Sequence, residues 1–145
     1  MQILRLLIVD DHELVRRGLT TLLADHPAFE VVGEAGNGEV AVAKSRELQP
    51  DIVLLDLTLP TMNGLQALRL IREVSPASEV LIISQYDSTW LVNEAMRIGA
   101  RGYVLKSDSG TMLLDAIASV SQHRPFIEYG LHELPQPHMR ELANV

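Results

Sequence analysis

Three aspartates, a serine and a lysine stand directly after apolar runs in this chain, and their types could do chemistry. Asp10 and Asp11 follow Leu4 to Val9, Asp56 follows Ile52 to Leu55, Ser84 follows Val80 to Ile83, and Lys106 follows Tyr103 to Leu105. Carboxylates brought together repel one another, which makes them harder to ionise unless a cation joins them. The chain has no cysteine and no histidine pair at ligand spacing, so the donor set is oxygen. A hard cation suits such a set. Mg²⁺ is favoured because it needs few protein ligands and keeps waters or phosphate oxygens. A carboxylate beside a cation and a lysine is equipped to stabilise a phosphoryl group in transfer. One carboxylate can itself be the nucleophile, giving an aspartyl phosphate.

The elements that must position these groups follow from the spacing of apolar residues. Runs typical of buried strands alternate with helical patterns, which is the signature of a parallel sheet with crossover helices. Strands are expected at Leu4 to Val9, Phe29 to Ala35, Ile52 to Leu55, Val80 to Ile83 and Tyr103 to Leu105. Helices are expected at about 13–23, from Gly38 to near Leu48, across Leu65 to Val74, at about 89–98 and at about 111–120. Ile52 to Leu55 is continuously apolar and reads as a central strand covered on both faces. The whole is an open α/β sheet of five strands, wound on both faces by right-handed crossovers. In such sheets ligands bind beyond the carboxyl ends of the strands. Four of the five strands end there in a functional group, and only the second ends blandly, at Ala35-Gly36.

Length and composition set the outer limits. The 145 residues suit one domain, with 47% hydrophobic and 21% charged residues, a globular balance. A net charge of −7 gives no electrostatic footprint for a phosphate backbone. The apolar run before Asp10 is too short for a signal-peptide core or a membrane span, and the absence of cysteine is compatible with a reducing cytoplasm. Residues 1–125 are expected to form the domain. Residues 126–145 carry Pro135 and Pro137 and read as an extension or linker stub. The histidines His123, His132 and His138 fit no compact metal motif and read as surface or linker residues. Trp90 is expected to pack on the fourth helix near Ser84.

These motifs together resemble the receiver domains of two-component response regulators. The stretches that carry the likeness are Leu7 to Asp11, Val53 to Gly64 around Asp56, Ile82 to Gln85 and Gly102 to Lys106. Val31 to Glu39 is similar to the NarL/FixJ (LuxR-type) subgroup. The resemblance covers about residues 3–127. It implies a flavodoxin-like fold with strand order 2-1-3-4-5, and Asp56 as the phosphoacceptor served by a sensor histidine kinase. It implies that Asp10, Asp11, Asp56 and the main-chain carbonyl of Thr58 hold Mg²⁺, and that Lys106 pairs with the phosphoryl oxygens. Ser84 resembles the switch hydroxyl and Tyr103 the aromatic switch, which together reshape the fourth helix, fifth strand and fifth helix. Homodimerisation on phosphorylation is a further implication, as is DNA contact only through an output domain, which is not found in this chain. Two positions depart from the family pattern: Ser107 replaces a common proline after the lysine, and Gln85 replaces a small residue.

Other readings compete. A strand-end Asp often only caps the next helix, and Asp11 stands where it could do so before His12. Asp56 has no such use, because Leu57 to Pro60 intervene before any helix. Gly36-Asn37-Gly38-Glu39-Val40-Ala41 fits a dinucleotide fingerprint, with Asp56 twenty residues beyond its first glycine. That reading leaves Asp10, Asp11, Ser84 and Lys106 unused. A Mg²⁺-dependent phosphatase with an Asp nucleophile would place a general acid two residues on, where Thr58 stands.

Overall fold

The structure, a computed structural model, describes residues 2–128. Strands β1 (Leu4–Val9), β2 (Phe29–Ala35), β3 (Ile52–Leu55), β4 (Glu79–Ser84), β5 (Gly102–Leu105) and β6 (Phe126–Glu128) form one parallel sheet in the order β2-β1-β3-β4-β5-β6. Helices α1 (Glu13–Ala24), α2 (Gly38–Leu48), α3 (Gly64–Val74), α4 (Thr89–Ile98) and α5 (Ser109–Ser121) supply the crossovers, with a short 3₁₀ turn at Lys106–Asp108.

The expected five strands are therefore six. β6 extends the sheet at the β5 edge, beyond the domain boundary expected at residue 125. Tyr103 lies in register with Ile127, and the Phe126 N–H donates to the Arg101 carbonyl at 3.2 Å. The exposed edge of β5 supplies the hydrogen-bonding template.

Side chains on a strand alternate between faces, and here that alternation divides the core in two. Leu7, Val9, Val53, Leu55, Val80, Ile82 and Tyr103 face α2, α3 and α4. Leu6, Ile8, Ile52, Leu54, Leu81, Ile83 and Val104 face α1 and α5. β3 and β4 are buried along their whole lengths, as central strands covered on both faces must be. Short polar side chains start three of the helices. Asn37 caps α2, Asn63 caps α3 and Ser88 caps α4, each accepting a first-turn N–H. The cap position before α1 is His12, which makes no side-chain cap hydrogen bond, so Asp11 does not stand at the helix cap.

Trp90 stands 65% exposed on the first turn of α4, contrary to the expected packing; an aromatic type does not by itself fix which helical face it occupies. His123 is also exposed at the surface, yet its Nδ1 lies 2.8 Å from Oε2 of the buried Glu79. His132 and His138 lie outside the described residues. No peptide bond among the described residues is cis, so Lys106–Ser107 is trans. No helix among them is long and apolar enough to cross a membrane.

Candidate functional site

The carboxyl ends of β1, β3 and β5 bring the predicted acids and the lysine to one rim. The sheet ladder continues into the site: the Asp10 N–H donates to the Ala35 carbonyl at 3.0 Å, and the Asp56 N–H to the Val9 carbonyl at 2.9 Å. The main chain thus fixes both aspartates, each only 2% exposed. Lys106, on the turn that leaves β5, places Nζ 2.9 Å from Asp10 Oδ2 and 3.1 Å from Asp56 Oδ2. The other oxygen of Asp56, Oδ1, accepts the Thr58 amide N–H at 2.9 Å. Thr58 therefore touches Asp56 through its amide, a contact that composition and spacing did not suggest.

The loop from Leu57 to Asn63 is closed tightly beside Asp56. Gly64, the first residue of α3, donates its N–H to the Leu57 carbonyl at 3.2 Å. A Cβ on Gly64 would lie 2.3 Å from the Leu57 Cα, so only glycine fits there. Thr61 adopts a positive φ of 67° and donates its hydroxyl to Glu39 on α2, at 2.8 Å from each carboxylate oxygen.

Asp11 completes the acid group from a more exposed position. Carboxylate oxygens of Asp10, Asp11 and Asp56 and a ring nitrogen of His12 all lie within 4.8 Å of one another. That grouping could hold a metal ion. Most of its donors are oxygen, as a hard cation requires. His12 was missed by sequence reasoning. Its Nδ1 lies 3.2 Å from Asp10 Oδ1 and 3.0 Å from Asp11 Oδ1, and its place directly after the acid pair was the available signal.

Burial pushes the Asp56 carboxyl above its ordinary value, and the nearby Asp10 charge adds to that. The Thr58 N–H and the Lys106 ammonium act in the opposite sense without reversing it. For Lys106, burial disfavours the charged form, but the hydrogen bonds to Asp10 and Asp56 outweigh it and the ammonium is held above its usual range.

The predicted switch residues meet at a third residue. Ser84 is fully buried at the end of β4, and its Oγ accepts the Tyr86 N–H at 3.0 Å. Tyr103 is also fully buried, and its hydroxyl donates to the Tyr86 carbonyl at 2.6 Å. The Tyr86 residue thus joins the two, a link with no side-chain signal in the sequence.

The second strand, bland in sequence, is not idle. Arg16 of α1 donates from Nη1 to the Asp10 carbonyl at 2.6 Å and from Nε to Glu34 Oε1 at 3.2 Å. It also lies against Gly36, where a Cβ would come 3.3 Å from Nη1. Gly38 faces Met62, with a Cβ placed at 2.8 Å from its side chain. Both glycines of the dinucleotide fingerprint therefore meet side chains of this chain where a pyrophosphate would have to approach.

Residues 6–118 match the family described as the response regulator receiver domain. Among curated proteins, the chain is 42% identical over 109 residues to the transcriptional regulatory protein YdfI of Bacillus subtilis, covering 75% of this chain and 51% of the relative. It is 36% identical over 124 residues to the transcriptional regulatory protein DegU of Brevibacillus brevis, covering 86% of this chain and 52% of that protein. The chain thus spans about half the length of these relatives. Among solved structures, a LuxR-family two-component response regulator from Aurantimonas sp. SI85-9A1 superposes with a TM-score of 0.83 at 34% identity, covering 99% of this chain and 97% of that one. The receiver domain of the response regulator NarL from Mycobacterium tuberculosis gives a TM-score of 0.80 at 32% identity, covering 86% of this chain and all of the other.

Proposed function

This chain belongs to the receiver-domain family of two-component response regulators, and we propose that it signals by accepting a phosphoryl group on Asp56. The observation that carries this reading is the Lys106 ammonium shared between Asp10 Oδ2 and Asp56 Oδ2, at 2.9 and 3.1 Å. It sets a fixed positive charge beside the one carboxylate buried at the end of the central strand β3.

In the proposed step, an Asp56 carboxylate oxygen attacks the phosphorus of a sensor kinase phosphohistidine. The phosphorus–nitrogen bond breaks as the oxygen–phosphorus bond forms, and the electron pair leaves on the imidazole nitrogen. Lys106 pairs with the transferring oxygens, and the Thr58 N–H holds Asp56 in place through Oδ1. Asp10, Asp11, Asp56 and the Thr58 carbonyl would hold Mg²⁺, which supplies positive charge against the negative charge of the transferring group. Water later attacks the phosphorus, the bond from Asp56 oxygen to phosphorus breaks, and inorganic phosphate leaves as Asp56 regains its carboxylate.

The signal is a population shift between two arrangements of α4, β5 and α5. In the phosphorylated arrangement the Ser84 hydroxyl leaves the Tyr86 N–H to hydrogen-bond the phosphoryl group, and Tyr103 moves with it. The transcriptional names of YdfI and DegU support control of transcription through an output domain. A cytoplasmic setting and pairing with its own copy on phosphorylation belong to the same reading.

Acetyl phosphate with Mg²⁺, followed by intact mass, tests the central assignment. The wild type gains one phosphoryl adduct and Asp56→Asn gains none. Equal labelling of both defeats it.

A further inference from the structure

Resting on that reading of the acid pocket, we infer that Arg16 is a positioning residue that sets the pocket's affinity for Mg²⁺ by fixing the Asp10 main chain. At the end of a strand the last carbonyl loses its ladder partner and needs another. For Asp10 that partner is the Arg16 guanidinium, with Nη1 2.6 Å from the carbonyl oxygen. The same guanidinium is anchored by Nε on Glu34 Oε1 of β2, at 3.2 Å, and lies against Gly36. The Asp10 N–H meanwhile donates to the Ala35 carbonyl. Both sides of Asp10 are thus tied to the end of β2, one directly and one through Arg16. From this fixed unit the Asp10 and Asp11 carboxylates project toward Asp56.

Charge and position make opposite predictions here, which gives the assignment its test. A guanidinium near a cation site repels the cation. If Arg16 acted only as a charge, its removal would tighten Mg²⁺ binding. If it holds the ligand-bearing main chain, its removal loosens the pocket and weakens binding; supporting partners of this kind typically contribute about tenfold or more. Lysine keeps the charge but has one nitrogen in place of the planar fork, so it cannot satisfy Asp10 and Glu34 with the same geometry.

Calorimetric titration of wild type, Arg16→Gln and Arg16→Lys with Mg²⁺ alone decides between these. Arg16→Gln is expected to bind roughly tenfold more weakly, with Arg16→Lys intermediate. In acetyl phosphate labelling, Arg16→Gln should need more Mg²⁺ for half-maximal rate. Equal or tighter Mg²⁺ binding by Arg16→Gln overturns the inference. Should Arg16→Gln fail to fold, Glu34→Gln, which removes only the guanidinium's anchor, is expected to weaken Mg²⁺ binding, and unchanged affinity there overturns it. A wild type that binds no Mg²⁺ would instead overturn the reading of the pocket itself.

Discussion

The Tyr103 hydroxyl and the Ser84 hydroxyl are joined through one residue: Tyr103 donates to the Tyr86 carbonyl at 2.6 Å, and Ser84 accepts the Tyr86 N–H at 3.0 Å. Ser84 closes β4, and Tyr103 lies on the neighbouring β5, in register with Ile82. A shift of the loop at Tyr86 disturbs both bonds at once. Tyr103→Phe is therefore expected to cost about 1 kcal/mol in urea melts, by leaving the Tyr86 carbonyl short of a buried donor. A double-mutant cycle with Ser84→Ala should show coupling of at least about 0.5 kcal/mol, whereas strictly additive effects would mean the two hydroxyls act separately.

Asp56→Asn should raise stability at neutral pH when Mg²⁺ is absent. Burial holds the folded carboxyl above its unfolded value, so the folded state binds the proton more readily. The stability of the wild type accordingly falls as pH rises from near 3.8 through the folded value, because the buried group must ionise. Asparagine does not titrate. The difference between variant and wild type should therefore be present at pH 7 and shrink below pH 4. Melts at several pH values without Mg²⁺ check the sign, and a destabilised variant at pH 7 contradicts it.

Lys106→Met is expected to act in the opposite direction. Its Nζ compensates two aspartates that are each 2% exposed, and removing it leaves their charges facing one another. A loss of about 2 kcal/mol is expected without Mg²⁺, since the side chain itself stays partly exposed. Mg²⁺ should recover much of that loss by restoring positive charge to the group. Chemical melts with and without Mg²⁺ read both effects, and equal deficits in the two conditions would count against the shared-cation picture.

The residues that the sequence made legible are those whose roles follow from local order. Asp10, Asp56 and Lys106 close strands, so their apolar runs already aim them at one rim. The same logic fails where a contact crosses between elements. Arg16 lies on α1, and nothing in helical spacing says that it reaches the end of β2. Tyr86 acts through its main chain, which leaves no signature in side-chain type. β6 consists of Phe126, Ile127 and Glu128 after Pro125, too short a run to read as a strand; its register comes from the edge of β5 rather than from its own sequence. Trp90 shows the reverse error, an aromatic expected inside and found largely in water.

Glu79 supports a last prediction, at the amino end of β4, opposite to Ser84. It is 4% exposed, and its Oε2 accepts from Arg101 Nε at 2.8 Å and lies 2.8 Å from His123 Nδ1, with Arg72 4.0 Å from Oε1. Arg101 and His123 flank the two ends of the crossing into β5 and β6. The carboxylate therefore ties the start of β4 to the outer edge of the sheet. Glu79→Gln keeps the shape but removes the charge, leaving two guanidiniums without their carboxylate. A cost of about 1–2 kcal/mol in urea melts is expected, discounted because Arg101 and His123 are substantially solvated. Amide exchange at residues 126–128 should accelerate, because the neighbouring tie is weakened. Phosphorylation by acetyl phosphate should be unchanged, since the acid pocket lies at the other end of the strands. Loss of labelling with unaltered exchange at β6 would show that Glu79 acts on the pocket rather than on the sheet edge.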